Sequence, residues 1–306
     1  MRVATLLCPL LIVSIAVSAG CNRSEPARQV DPAKTEQTGA SREANPAKGL
    51  RIAVGGMITP KEGFAYYREF LDYLAHQLGE PVQYVDAENY DDINQKLKRG
   101  EIDGGFVCSG PYVDGKKEFG LELLVAPRAY GKTAYHAYII VPKDSPARSL
   151  DDLKGKRFAF TDPLSNTGKL VPEYILKRKG QTPESFFGTV VYSGTHDKSI
   201  SAVSQGLVDG ASVDSLIWEY ANRTRPELTA KTRIIQKSEP YAIPPFVVRP
   251  GIAPEIKQKL KSIMINAHTD PTGKAILDNM MIERFEQIDD KAYDSIRAMK
   301  RQTGKP

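Results

Sequence analysis

The sequence predicts an α/β protein of two lobes with a cleft between them. From Leu50 onward, short β runs alternate with amphipathic helices, the texture of an α/β chain with mainly parallel strands. One helix-end, turn and strand pattern occurs twice, as Gly100-Glu-Ile-Asp103-Gly104-Gly105 and again as Gly206-Leu-Val-Asp209-Gly210-Ala211. Their separation is far too long for a solenoid repeat and suits one similar βα unit in each lobe. Two Pro-containing passages, Lys143 to Gly155 and Ser238 to Pro245, read as crossings out of the first lobe and back. Residues 50–142 are therefore assigned to lobe 1, residues 143–238 to lobe 2, and residues 239–306 to a return into lobe 1 with C-terminal helices. A paired crossing implies a hinge with a cleft beneath it, a common place for a ligand.

The strand candidates are 50–54, 82–85, 103–107, 122–126, 135–141, 157–160, 189–192, 208–213, 231–235 and 246–248. Among the helices, 60–78 is the clearest: Phe64, Tyr67, Leu71, Leu74 and Leu78 recur at spacings of three and four and make one apolar stripe. Thr59-Pro60-Lys61-Glu62 supplies a cap, a proline at the first helical position and a capping-box glutamate, while Gly79 and Pro81 end the helix. Helix 89–99 buries Tyr90, Ile93 and Leu97 and stops at Gly100. Helix 196–205 buries Ile200 and Val203 and stops at Gly206. Further helices are expected at 168–179, 215–222, 253–267 and 289–301.

The N-terminus reads as an export signal over residues 1–20. Arg2 gives a positive start, residues 4–19 are uncharged and apolar, and small residues precede Cys21. The run falls short of the roughly 20 residues of a comfortable span. Small residues before a cysteine look like a lipobox, which makes Cys21 the expected site of lipid attachment; ordinary secretory cleavage is the alternative. Residues 22–48 hold Val30 as their one branched aliphatic and no aromatic side chain, so they cannot offset their ordering entropy and read as a tether. Losing residues 1–20 removes Arg2 and takes the formal charge from +5 to +4. Such a mild balance suits a small anion and lacks the clustered basic residues of a nucleic-acid binder. Of the three cysteines, Cys8 leaves with the signal and Cys21 takes lipid, so Cys108 stands alone and no intramolecular disulfide forms.

Three segments join a strand to a helix N-terminus through small or polar residues: Gly55 to Thr59, Asp162 to Gly168, and Ser193 to His196. Helix starts leave N–H groups unpaired at the positive end of the dipole, so each is a potential anion site. In open α/β sheets these junctions gather at the carboxyl ends of the strands. Ser165-Asn166-Thr167-Gly168 offers two hydroxyls, an amide and backbone N–H groups. It is not a P-loop, because Pro163 stands where the first glycine belongs and Leu170 where Ser or Thr should follow Lys169. Plain capping explains Ser165 or Thr167 equally well. His196 would donate a hydrogen bond into the cleft. Asp214, as an acceptor, would receive one from a protonated phosphorus oxyanion and repel sulfate, and it can cap helix 215–222 at the same time.

Met57 to Glu62, Ala87 to Tyr90, Ile102 to Phe106, Lys154 to Phe160, Asp162 to Gly168, and Ser193 to His196 through Asp209 and Asp214 resemble the phosphonate-type substrate-binding proteins of phosphate, phosphite and phosphonate ABC transporters. The resemblance runs in order over residues 50–265. It implies the type II periplasmic-binding-protein fold, two lobes closing by a hinge on a small anion in the interlobe cleft. The function it implies is capture of a phosphonate, phosphite or phosphate for an ABC importer, by a monomeric lipid-anchored protein of the periplasm. Its expected partners are the anion, the transporter permease and, through lipid, a membrane; no nucleic acid, metal or cofactor is expected. By the same resemblance Tyr90 contacts the anion from lobe 1, Ser165, Asn166 and Thr167 bind its oxygens from lobe 2, and His196 and Asp214 complete the shell. Thr59 is added as a cleft-lining candidate, with Cys108, Ser109 or Tyr112 as alternatives from the segment Val107 to Tyr112. Asn166 replaces a hydroxyl of the family turn, and the return loop Tyr241 to Phe246 has no acidic residue, which favours a ligand without an amine.

Two other classes are weighed. An enzyme would use Cys108 or a serine with His136 or His196, yet no hydrolase-like elbow is present and the four histidines lack metal-ligand spacing. A sensor, or a binder of another oxyanion such as selenate, would keep the fold and change the role.

Overall fold

A computed structural model describes residues 49–55 and 60–304. The expected export signal, Cys21, the tether through Lys48, and Thr59 lie outside the described residues.

The strands are β1 (Leu50–Val54), β2 (Val82–Val85), β3 (Gly104–Phe106), β4 (Glu122–Arg128), β5 (Ala134–Tyr135), β6 (Ala137–Pro142), β7 (Arg157–Phe160), β8 (Thr189–Tyr192), β9 (Gly210–Asp214), β10 (Thr232–Lys237), β11 (Tyr241–Ala242), β12 (Phe246–Val248) and β13 (Arg284–Glu286). The helices are α1 (Pro60–Leu78), α2 (Tyr90–Arg99), α3 (Ser109–Phe119), α4 (Val171–Arg178), α5 (Pro183–Phe186), α6 (His196–Ser204), α7 (Ser215–Thr224), α8 (Pro226–Thr229), α9 (Pro254–Asn266), α10 (Pro271–Asn279) and α11 (Asp294–Gln302).

One sheet runs β13-β4-β12-β3-β1-β2 and the other β10-β6-β9-β7-β8. In each, three strands are parallel in the same order, β3-β1-β2 in the first and β9-β7-β8 in the second. The expectation of mainly parallel sheets is corrected here. β6 runs antiparallel to β9 and β10, and β12 antiparallel to β3 and β4, because both arrive on crossing segments rather than through a helix. The first crossing also comes earlier than expected: β6 belongs to the second sheet, so the lobe boundary lies at His136 and not at residue 143. There the strand expected at 135–141 breaks in two. Its first part, β5, pairs with β11 as Tyr135 opposite Tyr241, so the outgoing and returning chains form one small ribbon between the sheets.

Alternation along the strands places apolar side chains on both faces. Leu50, Ile52 and Val54 of β1 join Tyr67, Leu71 and Leu74 of α1 with Leu260 and Met264 of α9. Ala53 turns to the opposite face, toward Ile93 and Leu97 of α2 and Ile296 of α11. In the second sheet Phe158 and Phe160 pack on Leu176 of α4, while Ala159 and Val213 meet Ile200 and Val203 of α6. Each fully buried side chain of this size contributes ~1.5–3 kcal/mol.

The doubled sequence pattern is a doubled structure. Arg51 donates from its backbone N–H and guanidinium to Asp103, and from Nη2 to the Gly100 carbonyl; Arg157 does the same to Asp209 and Gly206. Both glycines sit in the left-handed region, at φ 68° and 69°, where a Cβ is disfavoured. Burial alone would raise the Asp103 carboxyl, but hydrogen bonds from Arg51 and Arg249 outweigh it and hold the group below its ordinary range. Each constellation fastens a helix end to the first strand of its parallel trio and thereby fixes where that strand's far end points.

Candidate ligand-binding site

β7 is central in its parallel trio, and the segment leaving it is built tightly. The Ser165 hydroxyl accepts the Gly168 N–H at 2.9 Å, capping a turn over Asn166–Leu170 wider than an α-helix, in which the Leu170 N–H reaches the Ser165 carbonyl at 2.9 Å. The regular helix expected at 168–179 therefore starts at Val171. Such wide turns recur at functional sites because they turn backbone and side-chain groups out of the helical register. Gly168 is required by close approach: a Cβ there would lie 1.7 Å from Thr161 Oγ1. The loop is tied down again where Ser212 of β9 donates to the Thr167 carbonyl.

The neighbouring strand ends complete the arrangement. After β8, Gly194 takes φ 87° and delivers Thr195 and His196 to the start of α6. After β9, Asp214 caps α7 by accepting the Leu216 N–H on Oδ1 at 2.7 Å. From the first lobe, Tyr90 opens α2, and its N–H donates to Asp162 Oδ2 at 3.2 Å, so the two lobes touch here. A Cβ on Gly110 of α3 would stand 2.5 Å from the Leu164 carbonyl, which shows the same close seating of lobe on lobe.

Protein polar atoms that are buried almost always find a partner. Here Tyr90 OH, Thr161 Oγ1, Asn166 Oδ1, Thr167 Oγ1, Thr195 Oγ1, His196 Nε2, Asp197 Oδ1 and Asp214 Oδ2 are buried with no partner in the protein. All sit at or just after the carboxyl ends of β2, β7, β8 and β9. Asp214 N–H donates to His196 Nδ1 at 3.0 Å and Asn166 Nδ2 donates to Tyr135 OH at 3.1 Å, while the charges of Asp162 and Asp214 act on the Tyr90 hydroxyl. Each buried group left without a partner costs about 1–3 kcal/mol, and eight of the ten such side-chain atoms among the described residues fall at these strand ends, which makes them the candidate site.

The polarity of the cluster can be read atom by atom. A backbone N–H can only donate, so His196 Nδ1 must present its lone pair to Asp214, and a neutral ring then carries its proton on Nε2. Burial keeps the ring neutral, lowering its pKa to about 3. His196 is thus a fixed donor. Three threonine hydroxyls and Tyr90 can also donate. The Asn166 amide can present either end, since the Tyr135 hydroxyl can accept or donate. Against these donors stands Asp214 Oδ2, whose carboxyl burial pushes up to about 7. Several donors and a buried acceptor that shares a proton near neutrality fit a tetrahedral oxyanion that still carries one hydrogen.

Asp214 and His196 act on folding with opposite signs. The Asp214 carboxyl is raised from near 3.8 to about 7, so its contribution to stability is full below pH 3.8 and is lost as pH rises through 7. The His196 ring is lowered from 6.5 to about 3, so its contribution is full above pH 6.5 and is lost as pH falls toward 3. Between these limits the pair nearly cancels. We expect His196→Gln to gain stability on acidification relative to the native chain by up to ~1.4 kcal/mol per pH unit, and Asp214→Asn to lose it at a similar slope. Urea titrations from pH 4.5 to 6.5 check this; parallel curves for all three proteins would contradict it.

Of the residues singled out from sequence, Tyr90, Asn166, Thr167, His196 and Asp214 contribute unpartnered atoms to the cluster, and Ser165 shapes the turn. Two point elsewhere. Ser109 donates to the Ala242 carbonyl at 2.7 Å and braces the ribbon, while the Tyr112 hydroxyl donates to Asp290 with its ring edge on Tyr293. Both lie on α3, whose buried face is turned to the core. Cys108, the cap of α3, is buried with its thiol pushed up by burial, and neither His136, bonded to the Ser238 carbonyl, nor His196 pairs with it. Thr161, Thr195, Asp162 and Tyr135 were not anticipated. Thr195 lies inside one of the strand-to-helix junctions, Asp162 opens another, and Thr161 directly follows the strand expected at 157–160, but nothing local to Tyr135 signals a long-range contact.

The sequence model for the family described as ABC transporter, phosphonate, periplasmic substrate-binding protein matches residues 53–293. A probable ABC transporter phosphite binding protein of Prochlorococcus marinus is 24% identical over 248 residues, covering 77% of this chain and 83% of its own. The phosphonates-binding periplasmic protein of Escherichia coli is 28% identical over 237 residues, 75% of this chain and 69% of that one. Among solved structures, the binding component of an ABC phosphonate transporter from Pseudomonas aeruginosa superposes with a TM-score of 0.79 at 23% identity, over 84% of this chain and 86% of that one. The Prochlorococcus marinus protein PhnD1, in complex with methylphosphonate, gives 0.77 at 22% identity, over 85% and 99%. Two α/β lobes, a paired crossing, and a family match across nearly the whole described chain lead to one conclusion: this protein belongs to the periplasmic substrate-binding proteins of phosphonate ABC transporters.

Proposed function

We propose that this chain captures a small phosphorus oxyanion, of the phosphonate, phosphite or phosphate type, and delivers it to the permease of an ABC importer. The reading is carried by the strand ends, where hydroxyl and imidazole donors from three turns and the Asp214 carboxylate are buried without a protein partner. Tyr90, Asn166, Thr167 and His196 would hold the anion's oxygens with Thr161 and Thr195, and Asp214 would accept the hydrogen that a protonated phosphorus oxyanion carries. Two relatives named for phosphite and phosphonate binding, and a fold neighbour holding methylphosphonate, support the same ligand class. Delivery would occur in the periplasm, with Cys21 as the lipid-bearing terminus and residues 22–48 giving reach. The ribbon of β5 and β11 would serve as the hinge.

Titration calorimetry tests this directly. The purified chain should bind phosphite, methylphosphonate or phosphate and ignore sulfate at the same concentration. Flat titrations with every phosphorus anion, beside tight binding of sulfate or an amino acid, would overturn the proposal.

A further inference from the structure

Next to the anion cluster lies a second space of different chemistry. It is a cavity of about 70 Å³, several times the ~10–15 Å³ that one water takes up. Val54, Phe106 and Ile243 wall it from the first lobe, and Leu216 and Ile217 from the second. Among the described lining residues the one ionisable carboxylate is Asp214. That residue belongs to both spaces: its Oδ1 is spent on the α7 cap, and its Oδ2 has no protein partner. Through Asp214 the anion cluster and the cavity lie within one side chain of each other.

We propose that this cavity is the seat of an uncharged hydrocarbon substituent, so that the preferred ligand is a phosphonate bearing a short alkyl group rather than bare phosphite or phosphate. The inference rests on the phosphorus-oxyanion reading above and names the organic half of the same ligand. A tail entering past Asp214 meets aliphatic and aromatic carbon on both lobes, and burying it there removes apolar surface from water. Beside the Tyr67, Tyr130 and Tyr220 hydroxyls, an ammonium at its end would find Asp214 as the one carboxylate among the described lining residues, and that oxygen is already matched to the anion's hydrogen. Charged side chains come only farther out, where Glu219, Arg223, Asp278 and Glu283 line a surface depression beyond Tyr130 and Met281.

The outer wall carries its own signature. Tyr130 and Met281 are the only non-glycine residues with positive φ among those described, at 51° and 54°, and both line the cavity. They touch each other, the Tyr130 hydroxyl donating to Met281 Sδ at 3.1 Å. Left-handed backbone is costly for a residue with a Cβ, and such outliers gather where a ligand is clamped. Here they come from two separate segments of the chain and meet on the cavity wall. They set the length of tail that fits.

The test is a series of titrations on the purified chain with phosphite, methyl-, ethyl- and propylphosphonate, 2-aminoethylphosphonate and propanesulfonate. Affinity should rise about fourfold for each methylene from methyl to propyl, the gain of a fully buried CH2. The aminoethyl compound, close in size to propyl, should bind at least tenfold more weakly than propyl, and propanesulfonate weaker still. In Leu216→Phe and Ile282→Phe, which fill the cavity from different walls, the propyl-to-methyl affinity ratio should fall toward one in whichever variant keeps its native circular dichroism. A flat or falling series, an aminoethyl ligand as tight as propyl, or a ratio unchanged in a folded variant would overturn the inference while leaving methylphosphonate or phosphite binding, and the broader reading, intact. Should no phosphorus anion bind, both fall together. If neither variant folds, the alkyl series on the unaltered chain decides.

Discussion

Replacing His196 by alanine should weaken binding of methylphosphonate at least tenfold. The argument is one of direction as well as donor strength. Because the Asp214 N–H occupies Nδ1, the ring cannot turn or change tautomer without losing that bond, and Nε2–H is aimed before the ligand arrives. Little ordering entropy remains to be lost on binding, so the hydrogen bond should show most of its value. Bonds to a charged partner are worth about 1.5–3 kcal/mol, which corresponds to a loss of roughly 10–150-fold. Alanine also strands the Asp214 N–H beside the anion's other partner. His196→Gln, whose amide NH2 can reach the position of Nε2, should recover part of the affinity. Calorimetry on both variants checks this, and native-like binding by His196→Ala would remove the imidazole from the site.

Much of this site was legible because its parts are local. Leu50–Val54, Val82–Val85 and Arg157–Phe160 are short apolar runs bounded by glycine, proline or polar turns, and the structure forms strands over the same residues. Strand-to-helix junctions follow from such boundaries, which is why Ser165, Thr167, His196 and Asp214 could be named in advance. What failed was non-local. Ser109–Phe119 contains two glycines and a proline, so its propensity argues against helix, yet the helix forms with the Leu121 and Phe119 side chains packed close on Gly115. Without that helix, no helical face could be assigned to Ser109 or Tyr112. Pairing direction is equally invisible in a single strand: nothing within Ala137–Pro142 says that it joins the second sheet antiparallel. The Arg51 and Arg157 anchors were missed for the same reason, since each reaches an aspartate 52 positions away.

The largest change in selectivity should come from Asp214→Asn. In the native chain the unpartnered Oδ2 is buried, so above pH 7, where the carboxyl is ionised, an anion without a hydrogen must place a negative oxygen against it with little water to screen the pair. A phosphonate monoanion avoids this by donating its own P–OH, and the Asp214 carboxyl, lifted by burial to about 7, sits near the range in which one proton is shared between them. Asparagine turns the acceptor into an amide that can offer N–H instead. Sulfate then gains a donor where it met repulsion, while the phosphonate exchanges a charge-assisted bond for a neutral one. Each change is worth about 1–3 kcal/mol, so the preference for methylphosphonate over sulfate should shrink by roughly 100-fold. The same logic fixes a pH dependence. Raising pH above 7 strips the shared proton and should weaken phosphonate binding by the native chain, whereas the asparagine variant should lose less, having no carboxylate to ionise. Competition calorimetry at pH 6 and pH 8.5 measures both effects. An Asp214→Asn protein that still rejects sulfate, with an unchanged pH profile, would mean that the selection is made by the hydroxyl donors and that the carboxylate only caps its helix.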